Sequence, residues 1–284
     1  MLKTIPEGFL SSYEINLSVF IIRNREAAIA FTDAERGMFS RKYFPDYQIP
    51  IIEHTPWVQV PIQIPKAIKD TVRKMLIEQR DAGKYEYSMA SHRSRIFPVT
   101  KKAGLRMVHD VQELNKVTIW DSALPPRVDD FAESHVGHVI YGLADLFSGY
   151  DRRILAIESR PLTTFNSLIG PNRLTVLPQG ATNSVPEFQC CTIHTLDEDT
   201  PRNSDAFIDD ITVKGPRSEY NHEELAPGIR RFVYEYLTTL DRILVRFITD
   251  NGLWVEVCLG NPETGNHRHN CFERWVAPQP RTRQ

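Results

Sequence analysis

Two aspartates, Asp209 and Asp210, stand side by side inside the apolar stretch SDAFIDDITVKGP, residues 204–216. Carboxylates are rarely buried without a partner. On a regular strand, adjacent side chains point to opposite faces, so this pair can converge only where the backbone turns. Asp tolerates turns well, and the flanks AFI and ITV are rich in strand formers. The segment therefore predicts a tight hairpin with the pair at its tip. Crowded carboxylates repel, and burial raises their pKa. A divalent cation removes both problems, since Mg²⁺ takes oxygen ligands, often a few carboxylates together with substrate phosphates. Two such ions can activate a hydroxyl and stabilise the leaving oxygen in phosphoryl transfer. That chemistry requires another acid on a neighbouring strand, and Asp145, near the end of the apolar run HVIYGLADL, is the candidate. The other acidic pair, Asp129–Asp130, follows Pro-Pro-Arg at an expected helix start. Acids there favour the helix dipole, so it is read as structural.

The elements that must position these acids are partly legible. Residues 1–60 are mixed, and five prolines between 45 and 65 predict an extended, irregular approach. Pro65 suits the first turn of a helix carrying Ile68, Val72, Met75 and Leu76, with Gly83 placed to end it. RSRIFPV and GLRMVHDV predict two strands joined by a turn at Lys101-Lys102-Ala103-Gly104. Leu124-Pro125-Pro126 breaks the chain before a short helix over 128–134. HVIYGLADL reads as a buried strand. Residues 181–199 predict a helix with Val185, Phe188, Thr192, Ile193 and Leu196 on one face. Residues 222–247 give the strongest helical spacing, through Ile229, Val233, Leu237, Leu240 and Leu244. After Phe247 the pattern collapses, leaving room for one short strand.

Composition narrows the classes. The 284 residues are 41% hydrophobic and 25% charged, as in ordinary globular proteins, with a formal net charge of -2. Any basic surface must therefore be local. Between residues 64 and 106 there are 11 Lys/Arg against 4 Asp/Glu, which fits either a solvated face or a surface that meets phosphates. No apolar run is long enough to span a membrane, and the start MLKTIPEGFL lacks a signal peptide's apolar core. With only four cysteines, two of them adjacent, an intracellular, reducing compartment is expected. Cys258 and Cys271 enclose His267 and His269, but the spacing fits no zinc-knuckle pattern, and unrelated thiols are the plainer reading.

In their order, these motifs resemble the reverse transcriptase of gypsy-type LTR retrotransposons and, more distantly, that of retroviruses, over residues 45–247. RIFPVTKKAGLRMVHDVQELNKVT is similar to the family's fingers segment, which implies that Lys101 or Lys102 and Arg106 contact an incoming triphosphate. A Lys/Arg pair on a hairpin is also what neutralising a triphosphate requires. LADLFSGYDRRI resembles the first catalytic motif, implying that Asp145 and the Leu146 carbonyl bind metal and that Tyr150 excludes a ribose 2′-hydroxyl by clash. TTFNSLIGPNRLTVLPQGATNSVPEFQ resembles the next motif, setting Gln179 and Gly180 against nucleotide and template and leaving Phe188 and Gln189 as packing. FIDD matches the family's YxDD, with Phe207 in place of the usual Tyr, and supplies Asp209 and Asp210.

The resemblance implies an α+β, right-hand polymerase of fingers and palm, with an antiparallel palm sheet and helices on one face. It implies RNA- and DNA-templated DNA synthesis from a primer and dNTPs, two Mg²⁺ or Mn²⁺ ions, no membrane, and a cytoplasmic particle or nucleus as location. The expected organisation is an N-terminal extension (1–44), fingers and palm (45–247) and a divergent, poorly ordered tail (248–284). The thumb is expected to be absent or incomplete, with a palm sheet lacking its last strands and an apolar face or edge exposed. A second chain completes the polymerase in some relatives, which leaves a dimer open. The alternative to an active polymerase is a catalytically silent retroelement remnant that at most binds nucleic acid. A two-carboxylate nuclease would need neither Tyr150 nor the LPQG loop.

Overall fold

A computed structural model describes residues 8–29, 37–101, 104–123, 127–146, 148–249 and 255–260, with Asp145, Thr249 and 255–260 described by their backbone alone. In chain order, α1 is Ser12–Asn24, α2 Lys69–Asp81, β1 Tyr85–Tyr87, β2 Ile96–Lys101, β3 Gly104–His109, α3 Gln112–Val117 and α4 Val128–Glu133. Then come β4 Tyr141–Leu146, β5 Phe165–Ser167, β6 Gly170–Leu174, α5 Ser184–Thr195, β7 Ser204–Phe207 and β8 Asp210–Lys214. β9 Glu224–Ala226, β10 Ile229–Arg230, α6 Arg231–Thr249 and β11 Val255–Gly260 complete the order.

The central sheet has the order β11-β4-β8-β7, all neighbours antiparallel. β1, β6 and β5 form a second antiparallel sheet, and β2–β3 and β9–β10 are hairpins. The class is α+β. β4 is paired on both sides, with β8 and with β11, and β11 forms one edge of the sheet. Ile211, Val213 and Ala144 of the sheet are buried, and α6 packs on β8 through a broad apolar face. Val233, Leu237, Leu240 and Leu244 of that face are buried as their spacing predicts, joined by Phe232, Tyr236, Ile243 and Phe247. α5 packs on β7 and carries buried Phe188, Thr192 and Thr195, with Leu196 buried just beyond its end. Ile193 was expected on that face but is 41% exposed, because each residue turns the helix by about 100° and carries it off the stripe.

The long helix is also shorter than its spacing suggests. Residues 224–230 form the β9–β10 hairpin, and α6 starts at Arg231. Pro227-Gly228 makes the turn, with Gly228 at φ +75°, a conformation that favours glycine. A Cβ there would overlap the Tyr13 ring of α1.

α1 is a helix the sequence reading did not resolve. Its N-terminus carries a capping box: the Ser11 hydroxyl accepts from Glu14 N–H, and the Glu14 carboxylate accepts from Ser11 N–H. α1 packs on α6 and β10 with its polar residues inward. Glu14 is fully buried, and its oxygens accept from the Arg230 backbone at 2.9 Å and from the Arg230 guanidinium at 2.8 and 2.9 Å. Burial alone would raise the Glu14 pKa, but the hydrogen bonds from Arg230 and Ser11 together hold it below the usual carboxylate range. Arg25, at the far end of α1, forms a two-point ion pair with Asp241 at 2.8 and 3.0 Å.

Candidate active site

The two strands that carry the acids are direct neighbours. In the β4–β8 register, Asp145 stands opposite Asp210. Cα atoms at such positions are about 4.5–5.5 Å apart. β7 and β8 close as a hairpin on the pair Phe207–Asp210. Its two-residue loop is therefore Ile208–Asp209, and the tip lies one residue earlier than the expected Asp209–Asp210, with Asp210 already opening β8. Two-residue loops between antiparallel strands need a positive φ at the first central residue, and Ile208 adopts φ +61°. A β-branched residue strongly disfavours that conformation, so surrounding contacts must hold it.

Those contacts come from both sides. Gln189, buried on α5, donates from Nε2 to the Ala206 carbonyl at 2.8 Å and accepts at Oε1 from Ile208 N–H at 2.5 Å. On the opposite side, Leu146 N–H donates to the Asp209 carbonyl at 3.0 Å. The Leu146 side chain is itself buried. Gln189, expected to be mere packing, thus clamps the turn that presents Asp209. The available signal was an amide side chain beside Phe188 in an expected helix, on a buried side that also carries Thr192 and Thr195. Phe207 packs against Phe131 of α4, with ring centroids 5.5 Å apart.

Tyr150 lies on a short 3₁₀ turn, Gly149–Arg152, just beyond β4. Its ring stacks on Phe188 with centroids 5.0 Å apart and planes 23° from parallel. Gly149 permits this approach, since a Cβ there would come within 2.5 Å of Phe188 Cζ. Burial, and then the nearby Asp209 charge, push the Tyr150 hydroxyl up to about 12. Asp209 is exposed and Asp210 half-buried.

The basic residues fall into a separate group. Arg106, exposed on β3, donates to the Gln179 amide oxygen across the hairpin-to-loop gap. Gly180 takes φ +89° and packs 3.6 Å, by its would-be Cβ, from Val111. Asn115 of α3 ties this loop down: Nδ2 donates to the Gly180 carbonyl at 3.0 Å and Oδ1 accepts from Thr182 N–H at 2.9 Å. Asn115 was also missed, because a single amide on a short helix carries no pattern. Lys101 is exposed at the turn end of β2. Lys102 lies outside the described residues, as do the side chain of Cys258 and residues 267–271. The site thus divides into Asp145, Leu146, Asp209, Asp210 and Tyr150 at the sheet end, and Arg106, Gln179 and Gly180 at the β2–β3 hairpin.

The acid end supplies oxygen donors alone, a set that fits hard divalent cations such as Mg²⁺ or Mn²⁺. Among the described side chains, which do not include that of Asp145, no group of three His, Cys, Asp or Glu forms a metal site.

No protein-family profile matches the chain. It is 31% identical over 121 residues to an RNA-directed DNA polymerase homolog of Oenothera berteroana, covering 43% of this chain and 85% of that one. It is 26% identical over 173 residues to the retrovirus-related Pol polyprotein from transposon 412 of Drosophila melanogaster, covering 61% of this chain but 13% of that polyprotein. The enzymatic polyprotein of cauliflower mosaic virus is 31% identical over 121 residues, 18% of its length. Among solved structures, a foamy viral protease-reverse transcriptase in complex with double-stranded DNA superposes with a TM-score of 0.74 at 17% identity, over 89% of this chain and 42% of that one. A second structure of that enzyme, in complex with an RNA/DNA hybrid, gives the same TM-score of 0.74 over 88% of this chain. These structural likenesses establish the fold.

Proposed function

Because the chain belongs to the RNA-directed DNA polymerase, or reverse transcriptase, family, we propose that it acts as the fingers and palm of a gypsy-type LTR retrotransposon polymerase and extends a primer on an RNA or DNA template from dNTPs. In this reading residues 45–247 are fingers and palm, 1–44 an extension and 248–284 a divergent tail, in an intracellular setting. The observation that carries it is the register of Asp145 opposite Asp210, with Asp209 held at the adjoining turn. Asp145, Asp209, Asp210 and the Leu146 carbonyl would hold two Mg²⁺ or Mn²⁺ ions. When bound, such ions favour ionisation of a primer hydroxyl and offset charge on the leaving oxygen. Tyr150, backed by the Phe188 ring, stands beside Asp209 and would clash with a ribose 2′-hydroxyl. Lys101, Lys102 and Arg106 would neutralise the triphosphate, with Gln179 and Gly180 against the nucleotide and template. The nucleic acids held by the foamy viral neighbours support a primer-template as partner.

Primer extension on an RNA template with Mg²⁺ or Mn²⁺ tests the reading. The Asp209→Asn, Asp210→Asn double variant is expected to lose activity by at least ~10²-fold. A folded native chain that extends nothing would replace this reading with that of a silent, nucleic-acid-binding remnant.

A further inference from the structure

β8 begins at Asp210 and ends at Lys214, so the two ends of the strand are roughly 13 Å apart. At the Lys214 end a cleft of about 550 Å³ opens between the segment after α4, the 201–203 turn, the β8-to-α6 connection and α6. Its lining includes His138, Arg202, Lys214 and Arg217, against the single acid Glu235. Glu235 is already engaged: one oxygen accepts from Arg231 at 2.9 Å and the other from the Tyr220 hydroxyl at 3.0 Å. Lys214 is buried, donates to the Pro201 carbonyl at 2.9 Å and lies 3.6 Å from Asp205. His138 donates from Nδ1 to the Gly215 carbonyl at 2.5 Å. Arg202 and Arg217 are exposed, and among the described residues neither has an ion-pair partner.

The charges on Lys214 and Arg217 oppose one another. Burial, and then the charge on Arg217, hold Lys214 below its ordinary value against the pull of Asp205. Burial, and then the charges on Arg217 and Lys214, do the same to His138. Like charges gathered around a cleft favour an anion there. Two unpaired guanidiniums offer planar, bidentate donors that match phosphate oxygens. The volume falls in the range of small-ligand sites and exceeds what one phosphate fills.

We propose that this cleft is a phosphate-binding site, apart from the aspartate end of the sheet, taking the phosphates of a free nucleotide or of a nucleic-acid strand. It does not rest on the polymerase reading, and primer extension can fail without touching it. The test is isothermal titration of the full chain in EDTA and low salt with inorganic pyrophosphate and, separately, with a ten-nucleotide single-stranded RNA. Saturable pyrophosphate binding is expected, weakened about tenfold or more in Arg202→Ala, Arg217→Ala and unchanged in Arg23→Ala, an exposed residue of α1 outside the cleft. RNA binding weakened in parallel identifies a strand as the source of the phosphate; RNA binding that does not weaken identifies a free nucleotide. Absence of saturable pyrophosphate binding to the native chain, or equal binding in the double variant, overturns the site. Should the double variant fail to fold, Arg217→Gln alone decides by the same criterion.

Discussion

Two hairpins carry the candidate chemistry, and they are anchored at opposite ends. The β7–β8 hairpin is held at its tip: Gln189 grips Ala206 and Ile208 from α5, and Leu146 grips Asp209 from β4. The β2–β3 hairpin is held at its root. Asp110 N–H donates to the Arg95 carbonyl there, and His109 packs between Tyr85 and Phe165 with centroids 5.5 and 4.7 Å away. Toward its turn, Val99, Lys101, Gly104 and Arg106 are exposed, and Arg106 reaches across to Gln179. A carboxylate set that shares metal ions needs fixed spacing, which a clamped tip supplies. Side chains that meet a nucleotide arriving from solvent need reach, which a hairpin pinned at its base supplies.

Breaking the clamp should have the largest effect. Gln189→Ala leaves the Ile208 N–H and Ala206 C=O without their side-chain partner and releases a turn that requires Ile208 at φ +61°. Stability should fall by about 1–3 kcal/mol in urea unfolding. Primer extension by the remaining folded protein should fall further than unfolding explains. Extension that tracks stability alone would remove the special status of the tip.

Acid should act on the other hairpin, at its root. Burial, and then the Lys84 charge, lower the His109 pKa to about 3. The unfolded chain therefore binds this proton first as pH falls through about 6.5. The associated stability is intact above that pH and declines toward pH 3, by up to ~1.4 kcal/mol per unit. Urea unfolding of His109→Gln between pH 7 and 4 should show a flatter acid limb than the native chain.

The smallest stability effect belongs to the exposed arm. Arg106→Ala should leave thermal stability within about 0.5 kcal/mol, since the side chain lies on the surface. KM for dNTP should rise with little change in kcat. A kcat loss with unchanged KM would assign Arg106 a different task.

The same contrast explains what was legible beforehand. Strand formers around a turn marked both hairpins, and the 3.6-residue spacing marked α5 and the buried face of α6. β1, β5 and β6, of three to five residues each, are too short to carry a period. Residues 224–230 misled because Ile229 keeps helical spacing with Val233 while Pro227-Gly228 turns the backbone back. α1 was hidden because Glu14 and Ser18 point inward while Tyr13 and Phe20 are each 61% exposed, inverting the usual pattern. Its capping box was nonetheless written in the spacing of Ser11 and Glu14. In the site, the aspartates stood out because carboxylates are anomalous in an apolar strand, whereas Gln189 and Asn115 act through backbone groups distant in sequence.

The Glu14–Arg230 contact joins residues 216 positions apart. During synthesis, at roughly 5–20 residues per second, Glu14 would wait on the order of ten to forty seconds for its partner to be made. Throughout that interval the inward side of α1 lacks the arginine that offsets its buried carboxylate. α1 is thus among the last of the described helices to find its place, and its docking reports that β10 has arrived.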